Sequence, residues 1–122
     1  MTEGIKVDVN RLHRFVMAVL QTLDVPAEDA RITADVLLSA DRRGIQSHGV
    51  ARLKRYVDGI RNGIIRPQPE IRTIRETPVS LVIDGSGGLG QVIAYRTMQR
   101  CITKTKDGYL CFATIQIGRA HV

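Results

Sequence analysis

The sequence predicts an α/β fold: a three-helix layer over residues 1–66, followed by the start of a mixed α/β unit over residues 67–116. Three observations predict it. Apolar residues recur at i, i+3, i+4 and i+7 through the first half, Pro67 and Pro69 then stop that periodicity, and a β-branched run ending in Asp84-Gly85 leads into a glycine cluster and a further helical stretch.

Taken in order, Leu12, Phe15, Val16, Val19, Leu20 and Leu23 form one apolar stripe, with Asp8 or Asn10 available as its cap. Val25-Pro26 opens a second helix with proline at its first position, running through Ala30, Ala34 and Leu37 to about Arg43, where Gly44 ends it. Ser47 is the N-cap candidate of a third helix, whose apolar series is Val50, Leu53, Val57 and Ile60 and whose end falls at Asn62-Gly63. Ile71 to Glu76 alternates weakly as a strand, and Val79 to Ile83 is a stronger strand pattern. Val92 to about Thr105 reads as a helix, and Tyr109 to Ile115 as a buried strand. If later strands are missing, this last one leaves an unpaired sheet edge and poor solubility.

Composition excludes several classes. The 122 residues are 43% hydrophobic and 25% charged, without an apolar run long enough to span a bilayer. Met1 begins a polar N-terminus that lacks a signal-peptide core, so the compartment reads as cytoplasmic. Cys101 and Cys111 fit reduced, partly buried thiols; no spacing suggests a metal site. A net charge of +6 invites a nucleic-acid reading, yet residues 1–66 carry 11 basic and 8 acidic side chains and residues 67–122 carry 7 and 4. A dispersed excess is a solvated surface rather than a binding stripe. The competing reading is a helix-turn-helix nucleic-acid-binding module, with helices over about 30–43 and 47–62 and Arg52, Lys54, Arg55 and Arg61 on the second. Against it, Ser39 and Arg43 stand where that motif needs apolar packing. A small structural domain is a third reading.

Ser47-His48-Gly49-Val50-Ala51-Arg52 carries the chemistry. His48 and Arg52 are four apart, which on a helix puts them on one face. A guanidinium is a planar two-pronged donor for a carboxylate, an imidazole donates a hydrogen bond or passes a proton, and a helix N-terminus adds free N–H groups. Together these suit a small carboxylic acid, although an ordinary surface His and Arg beside a helix cap would show the same spacing. His13, on the polar side of the first helix, reads as solvated.

Ala40-Asp41-Arg42-Arg43-Gly44-Ile45-Gln46-Ser47-His48-Gly49-Val50, with Arg52, Tyr56 and Gly88-Leu89-Gly90-Gln91, resembles the malate/L-lactate dehydrogenase family, whose fold is not the Rossmann type. The family also includes ureidoglycolate, sulfolactate and cyclic-imino-acid oxidoreductases. The resemblance runs from about Val9 to Gln116. It implies the N-terminal portion of an NAD(P)-dependent oxidoreductase that transfers hydride between nicotinamide and a small 2-hydroxy/2-oxo or imino acid such as malate or lactate. NAD or NADP is then the cofactor, and a homodimer the expected assembly, with no nucleic-acid or membrane partner. By the same resemblance Ser47, His48 and Arg52 bind substrate, and His48 is the catalytic candidate. The cofactor-binding residues stay unassigned, because the family binds the nicotinamide cofactor mainly through later segments.

Gly85-Ser86-Gly87-Gly88-Leu89-Gly90 satisfies G-x-G-x-x-G between a strand and a helix, but no acidic residue ends the next strand to hold a ribose. The glycines are therefore expected to serve a tight turn and close helix packing. Residues 117–122 depart from the family pattern, which calls for an Asn/Ser-rich loop ending in the general acid/base histidine. Ala120 stands at that place and His121 one position late, so His121 takes no role. Ile-Gly-Arg-Ala-His-Val matches a reading frame of a common sequencing adapter and reads as a non-native tail. The chain by itself is expected to be inactive.

Overall fold

The structure is a computed structural model that describes residues 4–117. Residues 118–122, including Ala120 and His121, lie outside the described residues, and with them most of the tail reading. Three helices come first: α1 (Val9–Thr22), α2 (Ala27–Arg42) and α3 (Leu53–Arg61). Then follow β1 (Arg72–Thr77), β2 (Ser80–Asp84), α4 (Gly90–Asp107) and β3 (Phe112–Gln116).

Asp8 caps α1, its carboxylate accepting the Arg11 N–H at 2.9 Å. Of the apolar stripe, Val16 and Leu20 are fully buried while Leu12 and Val19 are half-buried; Phe15, expected with them, is 57% exposed. The helix touches the rest of the chain mainly through α2, so only the strip facing α2 is covered. His13 is not simply solvated: it is half-buried on the α1–α2 seam, with Nε2 2.7 Å from the Asp35 carboxylate.

Pro26 stands one place earlier than expected, as the N-cap of α2 with an extended ψ of 150°. The helix ends in a Schellman arrangement, in which Gly44 at φ +78° lets the Ile45 N–H reach the Ala40 carbonyl at 2.9 Å and its own N–H reach Asp41 at 3.0 Å. The expected third helix from Ser47 is corrected. The chain instead makes two successive 3-10 turns, Gln46–His48 and Val50–Arg52, before α3 begins at Leu53. Gly49, extended at φ −96° and ψ −153°, interrupts the helical ladder between them. The continuous recognition helix that a helix-turn-helix reading requires over 47–62 is therefore absent.

The sheet has the order β1-β2-β3. β1 and β2 form an antiparallel hairpin closing at Thr77↔Ser80, and β3 runs parallel to β2 from Ser80↔Phe112 to Asp84↔Gln116, with α4 as the crossover. The sheet is thus mixed, within the mixed α/β architecture that was expected. Leu81 and Ile83 point from β2 onto Ile93 and Cys101 of α4, with Ile115 beside them. α4 also sends Leu89 at its N-cap and Val92 into the helical core of Val16, Leu20, Ala30, Ala34 and Leu37, so one helix joins both clusters. Arg96 on α4 pairs with the buried Asp29 of α2, and Lys104 donates to Glu76 of β1 at 2.8 Å. The expectation of a buried last strand is corrected: the strand starts only at Phe112, Tyr109 is fully exposed before it, and Phe112 is 63% exposed. β3 lies at the end of the sheet order with one partner, and only its α4-facing side is covered.

Candidate functional site

Asp41, in the last turn of α2, organises the segment that follows. Its Oδ2 accepts the Val50 N–H at 2.8 Å, so the first N–H of the second 3-10 turn is capped from the neighbouring helix rather than by Ser47. The carboxylate lies flat against Gly49. A Cβ built there would fall 1.9 Å from Asp41 Oδ1, so only glycine fits this approach.

This brace brings the three sequence-identified residues together, in a geometry other than the expected helix face. Ser47 Oγ sits 2.9 Å from His48 Nδ1, and Arg52 Nε donates to the Ser47 carbonyl at 2.7 Å. Ser47 is thus no helix cap: its hydroxyl engages the imidazole and its carbonyl fixes the guanidinium. With Nε held, the two terminal nitrogens of Arg52 remain as a fork. A neutral imidazole whose Nδ1 accepts from Ser47 keeps its proton on Nε2, a free donor. Ser47 and His48 are exposed and Arg52 is half-buried; among the described residues no carboxylate pairs with His48 or Arg52. The arrangement can take a carboxylate on the fork while His48 donates to a neighbouring oxygen.

One helical turn beyond Arg52, Tyr56 borders a cavity of about 750 Å³ that also runs along Arg66, Arg72, Asp84, the Ser86–Gly90 loop and Gln116. Ser47, His48 and Arg52 are not among the residues lining it. Gln91 Nε2 donates to the Tyr56 hydroxyl at 2.7 Å, tying α3 to the first turn of α4. Tyr56 and Gln91 stood in the sequence motif without an assigned role, as did Asp41. The signal for Asp41 was a carboxylate at a helix end ahead of an otherwise unexplained Ser-His-Gly glycine.

Half of the N–H groups of the Gly85–Gly90 loop are taken within the protein: Gly85 donates to Gln116 O at 2.7 Å, Ser86 to Asp84 Oδ1 at 2.8 Å, and Gly88 to Gly85 O at 3.1 Å. The Asp84 carboxylate at the loop would also repel an anion. What the glycines provide is close packing, since a Cβ at Gly85 would meet Ile93 at 2.5 Å and one at Gly88 would meet Pro69 at 2.4 Å. Among the described residues no group of His, Cys, Asp and Glu could hold a metal ion. No helix of the described residues is long and apolar enough to cross a membrane.

The family profile described as Malate/L-lactate dehydrogenase matches residues 7–120. The chain belongs to this family. Malate dehydrogenase of Pyrococcus horikoshii is 55% identical over 103 residues, which are 84% of this chain and 29% of that protein. L-sulfolactate dehydrogenase of Methanocaldococcus jannaschii is 43% identical over 94 residues, 77% of this chain and 27% of that one. Among solved structures, the Pyrococcus horikoshii malate dehydrogenase superposes with a TM-score of 0.86 at 46% identity, covering 97% of this chain and 37% of that chain. Sulfolactate dehydrogenase from Methanocaldococcus jannaschii gives 0.89 at 35% identity, covering 93% and 34%. The chain spans less than a third of the length of these curated relatives. The mixed α/β architecture is that of the N-terminal part of malate/L-lactate dehydrogenase family members.

Proposed function

We propose that Ser47, His48 and Arg52 form the substrate-carboxylate corner of an oxidoreductase acting on a small 2-hydroxy acid or its 2-oxo or imino counterpart. In the whole enzyme NAD or NADP carries the hydride, and the assembly is a cytoplasmic homodimer. The observation that carries this reading is the Arg52 fork: Nε is anchored on the Ser47 carbonyl at 2.7 Å while the outer nitrogens stay free beside His48. Family membership and the names of the relatives, malate and sulfolactate dehydrogenases, support the substrate class.

In this reading Arg52 binds the substrate carboxylate through two parallel N–H···O bonds. His48 donates Nε2–H to the hydroxyl or oxo oxygen, or to a carboxylate oxygen, and is placed to pass a proton there. Ser47 sets the imidazole's orientation through Nδ1. The nicotinamide supplies the hydride chemistry when bound; no cofactor-binding residue is assigned within residues 4–117. The nucleic-acid alternative has no observation in its favour.

A direct test is titration of the chain with oxaloacetate or pyruvate while following backbone amide shifts. Perturbation centred on Ser47–Arg52, lost in Arg52→Ala, is expected. Perturbation centred elsewhere and unchanged by that substitution would overturn the assignment.

A further inference from the structure

We propose that Cys101 and Cys111 form a reversible intrachain disulfide, with Cys111 as the sulfur an oxidant reaches first and Cys101 as the sulfur that resolves it. The two thiols are 3.3 Å apart, S to S. Cys101 lies on the buried side of α4, and Cys111 immediately precedes β3. A disulfide is roughly 2.0 Å long and joins Cα atoms at roughly 5.5–6 Å. The two sulfurs therefore have to close by on the order of an ångström, from 3.3 Å to bonding distance. These are the only two cysteines in the 122 residues, so no other intrachain pairing competes.

The surroundings separate the two roles. Cys101 is 8% exposed, and its burial, followed by the contact with Cys111, raises its thiol pKa; the nearby Arg100 and Lys104 act in the opposite direction. Cys111 is more exposed and follows the exposed turn of Tyr109 and Leu110. A small disulfide such as oxidised glutathione therefore meets Cys111. Its thiolate attacks one sulfur of the oxidant, forming a mixed disulfide and releasing one glutathione. The Cys101 thiolate then attacks Cys111 Sγ and displaces the second glutathione. Two protein thiols are oxidised, one disulfide oxidant is reduced to two thiols, and the protons given up by the cysteines leave on the released glutathiones.

The bond would tie the C-terminal half of α4 to the entrance of β3. That strand has one hydrogen-bonded neighbour and one covered face, and such edges open locally before the core does. Oxidation would thus stabilise the edge of the sheet, and reduction would release it.

The test is incubation of the purified, reduced chain with oxidised glutathione, followed by thiol counting and intact mass. Expected are the loss of both titratable thiols without added glutathione mass, and slower amide exchange over residues 112–116 in the oxidised form. Cys101→Ser should accumulate glutathione on Cys111. Cys111→Ser should react about tenfold more slowly, because only the buried sulfur remains. Two thiols that persist, stable adducts on both cysteines, or a disulfide-linked dimer as the main product would each overturn the proposal. The wild-type thiol count reads the outcome without relying on either variant, and the amide exchange shows whether the strand is affected.

Discussion

The Asp41 carboxylate occupies the space that a side chain on Gly49 would need, and from that position it caps the Val50 N–H at 2.8 Å. One carboxylate thus sets the path of the segment bearing Ser47, His48 and Arg52. Gly49→Ala should push the two 3-10 turns off α2 and cost about 1–3 kcal/mol, the range of overpacking in a tight site. Asp41→Ala should leave the Val50 N–H without its acceptor, also at about 1–3 kcal/mol. Denaturant midpoints check both. The double variant Asp41→Ala/Gly49→Ala should recover part of the Gly49→Ala loss, because the clash partner is gone; strict additivity would show that the two residues do not share one contact.

Arg52 and His48 should separate by kinetics in the active enzyme. Arg52→Lys keeps the charge but loses the planar fork, so it should weaken substrate binding by about 1–3 kcal/mol with little change in cofactor affinity. His48→Asn retains a donor but removes the imidazole that could take and release a proton. A pH–rate profile unchanged by that substitution would exclude proton transfer by His48 and leave it a positioning role.

Asp29 is 6% exposed and its partner across the α2–α4 seam, Arg96, is about half-exposed. Arg96→Met strands a buried carboxylate while the helix N-terminus of α2 still favours its charge. The expected loss is roughly 2 kcal/mol, less than for a fully buried pair because Arg96 itself already reaches water. Chemical denaturation measures it, and no change would show that the α2–α4 seam rests on apolar contacts alone.

Much of the helical layer was legible because period and punctuation agreed. Asp8, Pro26, Gly44 and Gly63 each mark an end that the structure shows, within a residue. The start of the third helix was misread because Ser47 has the look of a cap and Val50, Leu53 and Val57 continue the period. Only the long-range approach of Asp41 to Gly49 reveals the break, and that contact crosses from one helix to the next loop. β3 was misread as buried because Phe112, Ile115 and their neighbours are apolar. Apolarity says nothing about whether a second layer is present to cover a strand. In the candidate site, residue identities were readable and their mutual bonds were not: Ser47 to His48 Nδ1 and Arg52 Nε to Ser47 O follow from 3-10 geometry, which has no distinctive sequence period.

Acid should loosen the contact between α4 and the hairpin. Lys104 donates to Glu76 at 2.8 Å, and this bond, with Arg100 nearby, holds the Glu76 carboxyl below the usual glutamate range. A carboxyl whose folded pKa lies below its unfolded one stabilises the fold above the unfolded value, and that stability is lost as pH falls through the folded value. The loss therefore begins below about pH 5. Lys104→Gln should flatten the fall in unfolding midpoint over that range without abolishing it, because Glu28, lowered by its hydrogen bond from Arg31, titrates in the same direction. An identical pH dependence in the variant would show that the Glu76 contact does not persist in solution.

The chain of 122 residues should not turn over a 2-oxo acid by itself, although it carries the Ser47-His48-Arg52 corner. Hydride transfer needs the nicotinamide carbon, the substrate carbon and a proton donor held at contact distance, and such positioning is worth roughly 7–11 kcal/mol of barrier. Residues 4–117 provide a guanidinium fork and an imidazole donor, but in the glycine loop the N–H groups of Gly85, Ser86 and Gly88 are already bonded to Gln116, Asp84 and Gly85. The expected result is weak binding of a 2-oxo acid with no binding of NADH or NADPH and no change in nicotinamide absorbance across oxaloacetate, pyruvate and related acids. Substrate-dependent oxidation above the blank, abolished by Arg52→Ala, would show instead that these residues assemble a working cofactor site and that the bonds within the glycine loop open to receive it.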